Sequence, residues 1–502
     1  MSLLAEESGR IAPFVSNLDG DVFALAGLPE EVVAVLFAYY SRSRDDLRTN
    51  LAKLLVEDGL GEGGGSSFRF ASEKAKAFHE KWVVGYGHAS VAEHAVVHLA
   101  IENVSIIATK VIEDSRLCSF TEKSTRYVAF DEASFAPLPS LPPDLGARYD
   151  EACRALFRTY LSLIPRVEAK VRDAVPRREG QAERAYEASI RAKTFDLLRG
   201  LLPASTKTNL GLTANARSLE TLLSKMLASP LVEVAALGAA MHREAQAVAP
   251  TLVKHVAPSP YRAALRETVA PMTALALPPP GCRTTSLHGS VDLLDYDGNG
   301  LDRVIAALAM EASEMTESAE QLAGAVSNLS PGEKVELLHA ALAERGRFDP
   351  VPRAFEAARV AVEIVVDYGA WRDLQRHRLL SPFVQRLGCD LGCAVPAELA
   401  ELGFAGEFRE AVEAVVPVWR ELVDVCPWQA QYVVPLAYRV RTVWYLNLRE
   451  WYHVVELRSS KAGHPSYRAI AQELYAVLVS VWPWLEGTAR VDLNTYPFGR
   501  VE

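Results

Sequence analysis

The chain has 502 residues, 49% hydrophobic and 23% charged, which is long for one core and suits a folded protein of two or more domains. Its formal net charge of −10 argues against non-specific nucleic-acid binding, so any anion site is a local basic cluster in an acidic background. Six cysteines (Cys118, Cys153, Cys282, Cys389, Cys393 and Cys426) are too sparse for a disulfide framework and read as thiols in a reducing cytoplasm. Met1–Asn17 carries Glu6 and Glu7 and lacks the basic start and apolar core of a signal peptide. No apolar run approaches the roughly 20 residues that span a bilayer, so no membrane partner is expected.

In chain order, Glu30–Leu55 has helical spacing, with Val32, Val33, Leu36, Phe37 and Tyr40 on one face. Gly61–Ser67 lacks the Lys-Ser/Thr of a phosphate loop and reads as a linker. Ser72–Tyr86 reads as helix, and Ala95–Ser105 as a strand with one polar face. Ile106–Arg116 resumes a helical period, and Cys118–Tyr127 is polar and rich in hydroxyls. After the break Pro137–Pro143, helices are expected over Leu145–Val175, Gly180–Leu202 and Thr213–Val248, the last interrupted at Ser229-Pro230. Pro258–Asp297, with the triple proline Pro278–Pro280, is the best domain boundary, giving domains 1–256 and 301–502 around a linker 257–300. Beyond it, Leu301–Ser327 and Pro331–Arg345 read as helices, Phe355–Val366 as a strand, and Tyr368–Leu380, Phe408–Val425, Arg439–Leu457 and Tyr467–Trp482 as helices.

The halves repeat one plan. An offset of 262 (378 less 116) places Arg116 opposite Arg378, Ser119 opposite Ser381, and strand Ala95–Val104 opposite Ala357–Val366. A second offset of 232 (449 less 217) aligns Asn215-Ala-Arg217 with Asn447-Leu-Arg449 and Pro203 with Pro435. The polar residues do not match. The first copy has Glu122, Ser124, Arg126 and Tyr127 where the second has Val384, Arg386, Gly388 and Cys389; the second has Arg376 and His377 where the first has Asp114 and Ser115. Arg458 and Arg468 face Met226 and Ala236. Each copy holds what the other lacks, as expected of one composite site.

The cluster Gln375-Arg-His-Arg-Leu-Leu-Ser381 is costly to bury without an anion, and the planar forks of Arg376 and Arg378 suit phosphate. Its bland alternative is a solvated helix face. His94 and His98 are four apart, but Glu93 precedes the pair rather than lying inside it and no third ligand is evident, so no metal is expected. Glu122 and Arg126 also read as an intrahelical ion pair, Tyr127 as a core-edge residue, and Arg217 as a site remnant or a plain helix charge.

These residues resemble the flavin-dependent thymidylate synthases, whose signature is Arg-His-Arg-x-x-Ser-x-Asn-x-x-Ser-x-Arg-Tyr. The second half resembles its opening, Arg376-His377-Arg378-x-x-Ser381, and the first half its close, Ser124-x-Arg126-Tyr127. The signature's Asn is Thr121 in one copy and Phe383 in the other. Ser90-x-x-Glu93-His94 is similar to an upstream motif, and Asn447-Leu-Arg449 with Arg458 and Arg468 to the nucleotide-binding C-terminal part. The resemblance implies an α+β fold of two fused thymidylate-synthase-like copies, each a mostly antiparallel sheet flanked by long helices. It implies FAD as cofactor and dUMP, NADPH and methylenetetrahydrofolate as partners, in a cytoplasmic homodimer that mimics the family's tetramer. By the same resemblance Arg376, His377, Arg378, His94 and Glu122 hold flavin, Ser124, Arg126, Arg449 and Arg458 hold dUMP, and Arg468 is catalytic, polarising the uracil. Two alternatives stay open: a degenerate paralogue that binds flavin or nucleotide without turnover, and a methylase of another pyrimidine nucleotide.

Overall fold

The computed structural model describes residues 5–40, 43, 45–57, 89–276, 290–312 and 316–499. The readings at Gly61–Ser67, Ser72–Tyr86 and Pro278–Pro280 lie outside the described residues. The chain forms two compact units that interleave in sequence. One comprises Met1–Asn103, Val111–Lys123 and Thr208–Pro279; the other comprises Val104–Lys110, Ser124–Lys207 and Pro280–Glu502.

The architecture is α+β, with two sheets and long helices. In the first sheet β1 (Val96–Ser105), β3 (Lys207–Asn215) and β2 (Cys118–Glu122) lie in the order β1-β3-β2. In the second, β4 (Val291–Tyr296), β5 (Arg359–Asp367), β7 (Arg439–Asn447) and β6 (Ser381–Val384) lie in the order β4-β5-β7-β6. The last three strands repeat the first sheet, and the register agrees. Ser119 pairs with Thr213, and Ser381 pairs with Tyr445, each one offset further along. The duplication read in the sequence is thus present as equivalent strand order and pairing.

The gap-free alignment of the first strands needs one correction. Val97 and Ile101 are buried as Val360 and Ile364 are, an offset of 263, whereas Val104 matches Val366 at 262. Strand β1 has 10 residues and β5 has 9. The extra residue is absorbed near Asn103, whose φ is 57° and whose backbone N–H donates to Asn209 Oδ1 at 3.1 Å. One left-handed residue lets the strand change facing without losing its buried side.

Several expected helices change character. Glu30–Leu55 is two helices, Glu30–Tyr40 and Leu47–Glu57, with Asp46 Oδ1 capping the second through the N–H of Thr49. Arg439–Leu457 is strand β7 followed by helix Leu448–Arg458, and the start of Thr213–Val248 belongs to β3. In both copies the Asn of Asn-x-Arg ends the strand and caps the helix, Asn215 for Ala216–Leu227 and Asn447 for Leu448–Arg458. Tyr368–Leu380 is helical only to Leu374, so the basic triplet lies in a turn before β6. Leu301–Ser327 and Phe408–Val425 are each two helices, Gly300–Ala312 with Ala319–Ser327 and Ala405–Glu413 with Val416–Val425. The Pro-rich stretch 257–300 holds helix Pro260–Ala276 and strand β4. No described helix is long and apolar enough to cross a membrane.

Within the second unit the two repeats meet about a pseudo-two-fold axis. Pro203 bridges Pro435; Ala204 N–H donates to Val434 O at 2.9 Å, and Leu436 N–H returns to Leu202 O at 2.9 Å. Ser205 N–H to Tyr432 O and Ala437 N–H to Gly200 O are equivalent in the same sense. Such self-complementary pairing is what an isologous subunit contact becomes after fusion. The 32-residue helix Pro143–Ala174 packs here, burying Tyr149, Leu156, Phe157, Tyr160, Leu163 and Val167 at three- and four-residue spacing.

Replacing Asn447 by Ala removes the cap received by Glu450 N–H at 2.9 Å, and costs about 1 kcal/mol of stability. Asn447→Asp keeps an acceptor and most of that stability. Denaturant melts of the two variants, compared with the parent chain, check both values.

Candidate functional site

The second unit gathers arginines from both repeats around a carboxylate that the sequence reading did not single out. Asp373 lies one turn before Arg376, near the end of helix Tyr368–Leu374. Burial pushes its pKa up, but the guanidiniums of Arg199, Arg376, Arg126 and Arg458 outweigh that and hold it well below the usual carboxylate range. Arg199 Nη1 lies 3.4 Å from Asp373 Oδ2, and Arg376 Nη1 lies 3.8 Å from Oδ1.

Arg126, from the first repeat, grips Asp196 with a fork: Nε to Oδ1 at 2.5 Å and Nη2 to Oδ2 at 3.0 Å. Asp196 is 2% exposed on helix Glu183–Leu198. Burial lowers the pKa of Arg126, but its bonded carboxylate more than reverses this, so it stays charged. The reading of Arg126 as an intrahelical partner of Glu122 is corrected: Glu122 ends β2 and Arg126 pairs with Asp196. Ser124 Oγ accepts the N–H of Arg126 at 3.2 Å, fixing the turn that delivers it.

The basic triplet divides inside from outside. Arg376 and Arg378 are exposed, and His377 is 2% exposed. His377 Nδ1 lies 3.1 Å from Glu450 Oε1, and its Nε2 accepts from Arg458 Nε at 2.9 Å. That pattern sets the proton on Nδ1 and a neutral ring, in keeping with burial lowering its pKa. Glu450 and His453 stand beside it, and the three polar groups have the makings of a metal trio. A cation on Nδ1 would force the proton to Nε2, against the N–H of Arg458, so the trio reads as a positioning device instead. Arg458 also lies over the Tyr467 ring at 5.4 Å.

His464 caps helix Pro465–Val481 through the N–H of Ser466, and burial near Arg199 and Arg126 drives its pKa far down. Four guanidiniums, of Arg126, Arg199, Arg376 and Arg458, therefore share three carboxylates, Asp196, Asp373 and the Asp367 that faces Arg199, next to neutral histidines. Arg199 Nη2 is buried with no hydrogen-bond partner among the described residues. An orphaned buried donor within a positive excess fits a bound phosphate.

The other expected residues are placed differently. Arg449 Nη1 pairs with Glu356 at 2.8 Å, and Arg217 Nη1 pairs with Glu93 at 2.5 Å. Glu93 and Glu356 are themselves equivalent, so this is one ion pair kept in both repeats, and Arg217 is more than a plain helix charge. Arg468 donates from Nε to Ser459 O at 2.8 Å and from Nη2 to Asn494 O at 2.9 Å, with the Tyr496 ring 5.0 Å from its guanidinium. His94 and Glu122 belong to the first unit, where the His94 ring packs 4.7 Å from Phe37. Tyr127 is 65% exposed, not a core-edge residue. Burial raises the thiols of Cys153 and Cys389 to about 12, which leaves them inert. Sequence reasoning missed Asp196, Arg199, Asp373, Glu450 and His464. For Asp373 the i,i+3 spacing to Arg376 was a usable signal; Asp196 and Arg199 gave none.

A family model described as thymidylate synthase complementing protein matches residues 30–251 and again 292–484. A UPF0159 protein of Chlamydia muridarum is 36% identical over 521 residues, covering 99% of this chain and 97% of that one. A UPF0159 protein of Thermoplasma acidophilum is 31% identical over 473 residues, covering 86% and 92%. A flavin-dependent thymidylate synthase of Pyrococcus furiosus is 25% identical over 160 residues, covering 32% of this chain and 58% of that one.

The depressed pKa of Asp373 has a signed consequence. Its stabilising contribution is complete above the unfolded value of about 3.9 and is lost as pH falls through the lower folded value. Asp373→Asn removes the carboxylate that Arg199 Nη1 bonds and leaves it Asp367, costs about 3 kcal/mol at neutral pH, and flattens the acid limb of stability. Added phosphate restores part of the loss. Thermal melts between about pH 3 and 7, with and without phosphate, test this; parallel acid limbs would refute it.

Proposed function

This chain belongs to the thymidylate synthase complementing protein family, that of the flavin-dependent thymidylate synthases, and from that premise we propose that it is an FAD-dependent thymidylate synthase. In this reading it converts dUMP to dTMP with methylenetetrahydrofolate and NADPH. The observation that carries the proposal is the convergence of Arg126 from one repeat with Arg376 and Arg458 from the other on Asp373.

Bound flavin supplies the redox and one-carbon chemistry. The chain's residues bind, orient and balance charge. Arg376 and Arg378 hold the flavin pyrophosphate through forked hydrogen bonds, and neutral His377 is kept in register by Glu450. In this reading Ser124, Arg126, Arg449 and Arg458 hold dUMP, Arg449 being the one that the structure pairs with Glu356. Arg468, held on two backbone carbonyls and with Asp492 3.6 Å from Nη2, would bring its charge to the base. A fixed positive charge there stabilises the N3-deprotonated uracil. His94 and Glu122, which lie in the first unit, are assigned to flavin by the family resemblance alone.

A second reading, flavin binding without turnover, draws on Phe383, which stands where the signature has Asn and stacks edge-on with Tyr445 at 5.8 Å. Purified chain is expected to be yellow and to oxidise NADPH only when dUMP is present. Arg376→Ala should bleach it, while Arg468→Ala should keep the colour and lose nucleotide-dependent turnover. Growth of a thymidine-requiring host carrying the chain decides between the readings: rescue supports the synthase, and colour without rescue supports the binding protein.

A further inference from the structure

The first repeat has its own cleft, of about 620 Å³, within the first unit. It occupies the position that the His377–Glu450–His453 trio fills in the second repeat. The residues equivalent to those three are Ser115, Ser218 and Thr221, and all three line the cleft. Two imidazoles and a long carboxylate have been replaced by short hydroxyls, which opens the space and leaves donors around it.

The charges have been rebuilt as well. Asp114, at the position of Arg376, is paired with Lys225, which stands at the position of Leu457. Arg217 is paired with Glu93 at 2.5 Å. Arg116 lines the cleft too, and Arg262 enters from helix Pro260–Ala276. Among the residues that line the cleft, four are thus cationic and two, Glu93 and Asp114, are carboxylates, in a chain whose net charge is −10. Lys225 stands where the second repeat has Leu457, Arg262 enters from a helix outside the matched segments, and Arg116 and Arg217 match the cations Arg378 and Arg449.

We propose that this cleft binds a small phosphorylated anion of nucleotide size, through Arg116, Arg217, Lys225 and Arg262, with Ser218 and Thr221 on its neutral part. The volume lies in the range of small-molecule sites, and the mixture of guanidinium and ammonium groups suits a phosphate dianion. None of these residues serves the proposed reaction, so this is a second, separate site. The inference rests on the duplication and not on turnover.

Equilibrium titration of the full chain with dUMP, and separately with inorganic phosphate, tests it. The parent chain is expected to show a phosphate-competed class of dUMP sites that weakens at least about tenfold in Arg262→Glu and in Lys225→Ala. Arg262 is exposed on its helix, so the reversal leaves the fold intact, and unchanged thermal melting confirms this. If the catalytic reading holds, one dUMP per chain survives in both variants; if it fails, none does, and the weakened class still reports this cleft. A class sensitive to both variants that takes phosphate but not dUMP keeps the phosphate site and assigns it a smaller ligand. Titrations of both probes that match the parent in both variants, or no binding of either probe to the parent, would overturn the proposal.

Discussion

The antiparallel bridge at Pro203 and Pro435 is the constraint on which the rest of the second unit depends. Its bonds come in symmetric couples, so each repeat presents the same short segment to the other. The couples extend outward: Ile107 N–H reaches Ala204 O as Gly369 N–H reaches Leu436 O. Helices that start at Ile106 and Tyr368 are thereby anchored to the bridge from equivalent directions. Loss of these main-chain pairs would leave buried amides unsatisfied on both sides at once, which is why the backbone symmetry has outlived the side-chain symmetry.

The side chains around that axis have diverged in one direction. Arg126 and Asp196 make a buried fork, whereas their equivalents in the second repeat are Gly388 and Trp428. A side chain at Gly388 would meet Trp419 at 2.9 Å, and Trp428 instead lies under the guanidinium of Arg386 at 4.8 Å. An ion pair was exchanged for apolar packing and a cation–π contact. Likewise Arg458 is matched by buried Met226. Fusion makes this possible: identical subunits must carry every residue of a shared site twice, while fused copies are free to keep one set each.

Much of the framework was legible in the sequence, and its limits have physical causes. Strands β1 and β5 could be read because polar and apolar residue types alternate in their sequences, although β5 is buried along most of both faces. Strands β3 and β7 alternate residue by residue between buried and less buried positions, but they run straight into helices through a capping Asn, and the helical period that follows masks them. The triplet Arg376-His377-Arg378 announced an anion site, yet Asp196 and Arg199 carry no local pattern, since their meaning arises only when helix Glu183–Leu198 lands beside the second repeat. The one-residue bulge near Asn103 was invisible for the same reason: only burial reveals the change of parity.

The arginine cluster also explains how such a site stays folded before a ligand arrives. Guanidiniums brought together repel, and in a partly buried place that repulsion is poorly screened. Asp373 lowers the cost by facing four of them at once, and the Arg126–Asp196 fork takes one out of the competition. The offset is incomplete, because three carboxylates, Asp196, Asp367 and Asp373, answer four cations and, among the described residues, Arg199 Nη2 has no hydrogen-bond partner. In the proposed function a bound phosphate would supply the missing negative charge and the missing acceptor together, and its binding energy would then add to folding stability by mass action.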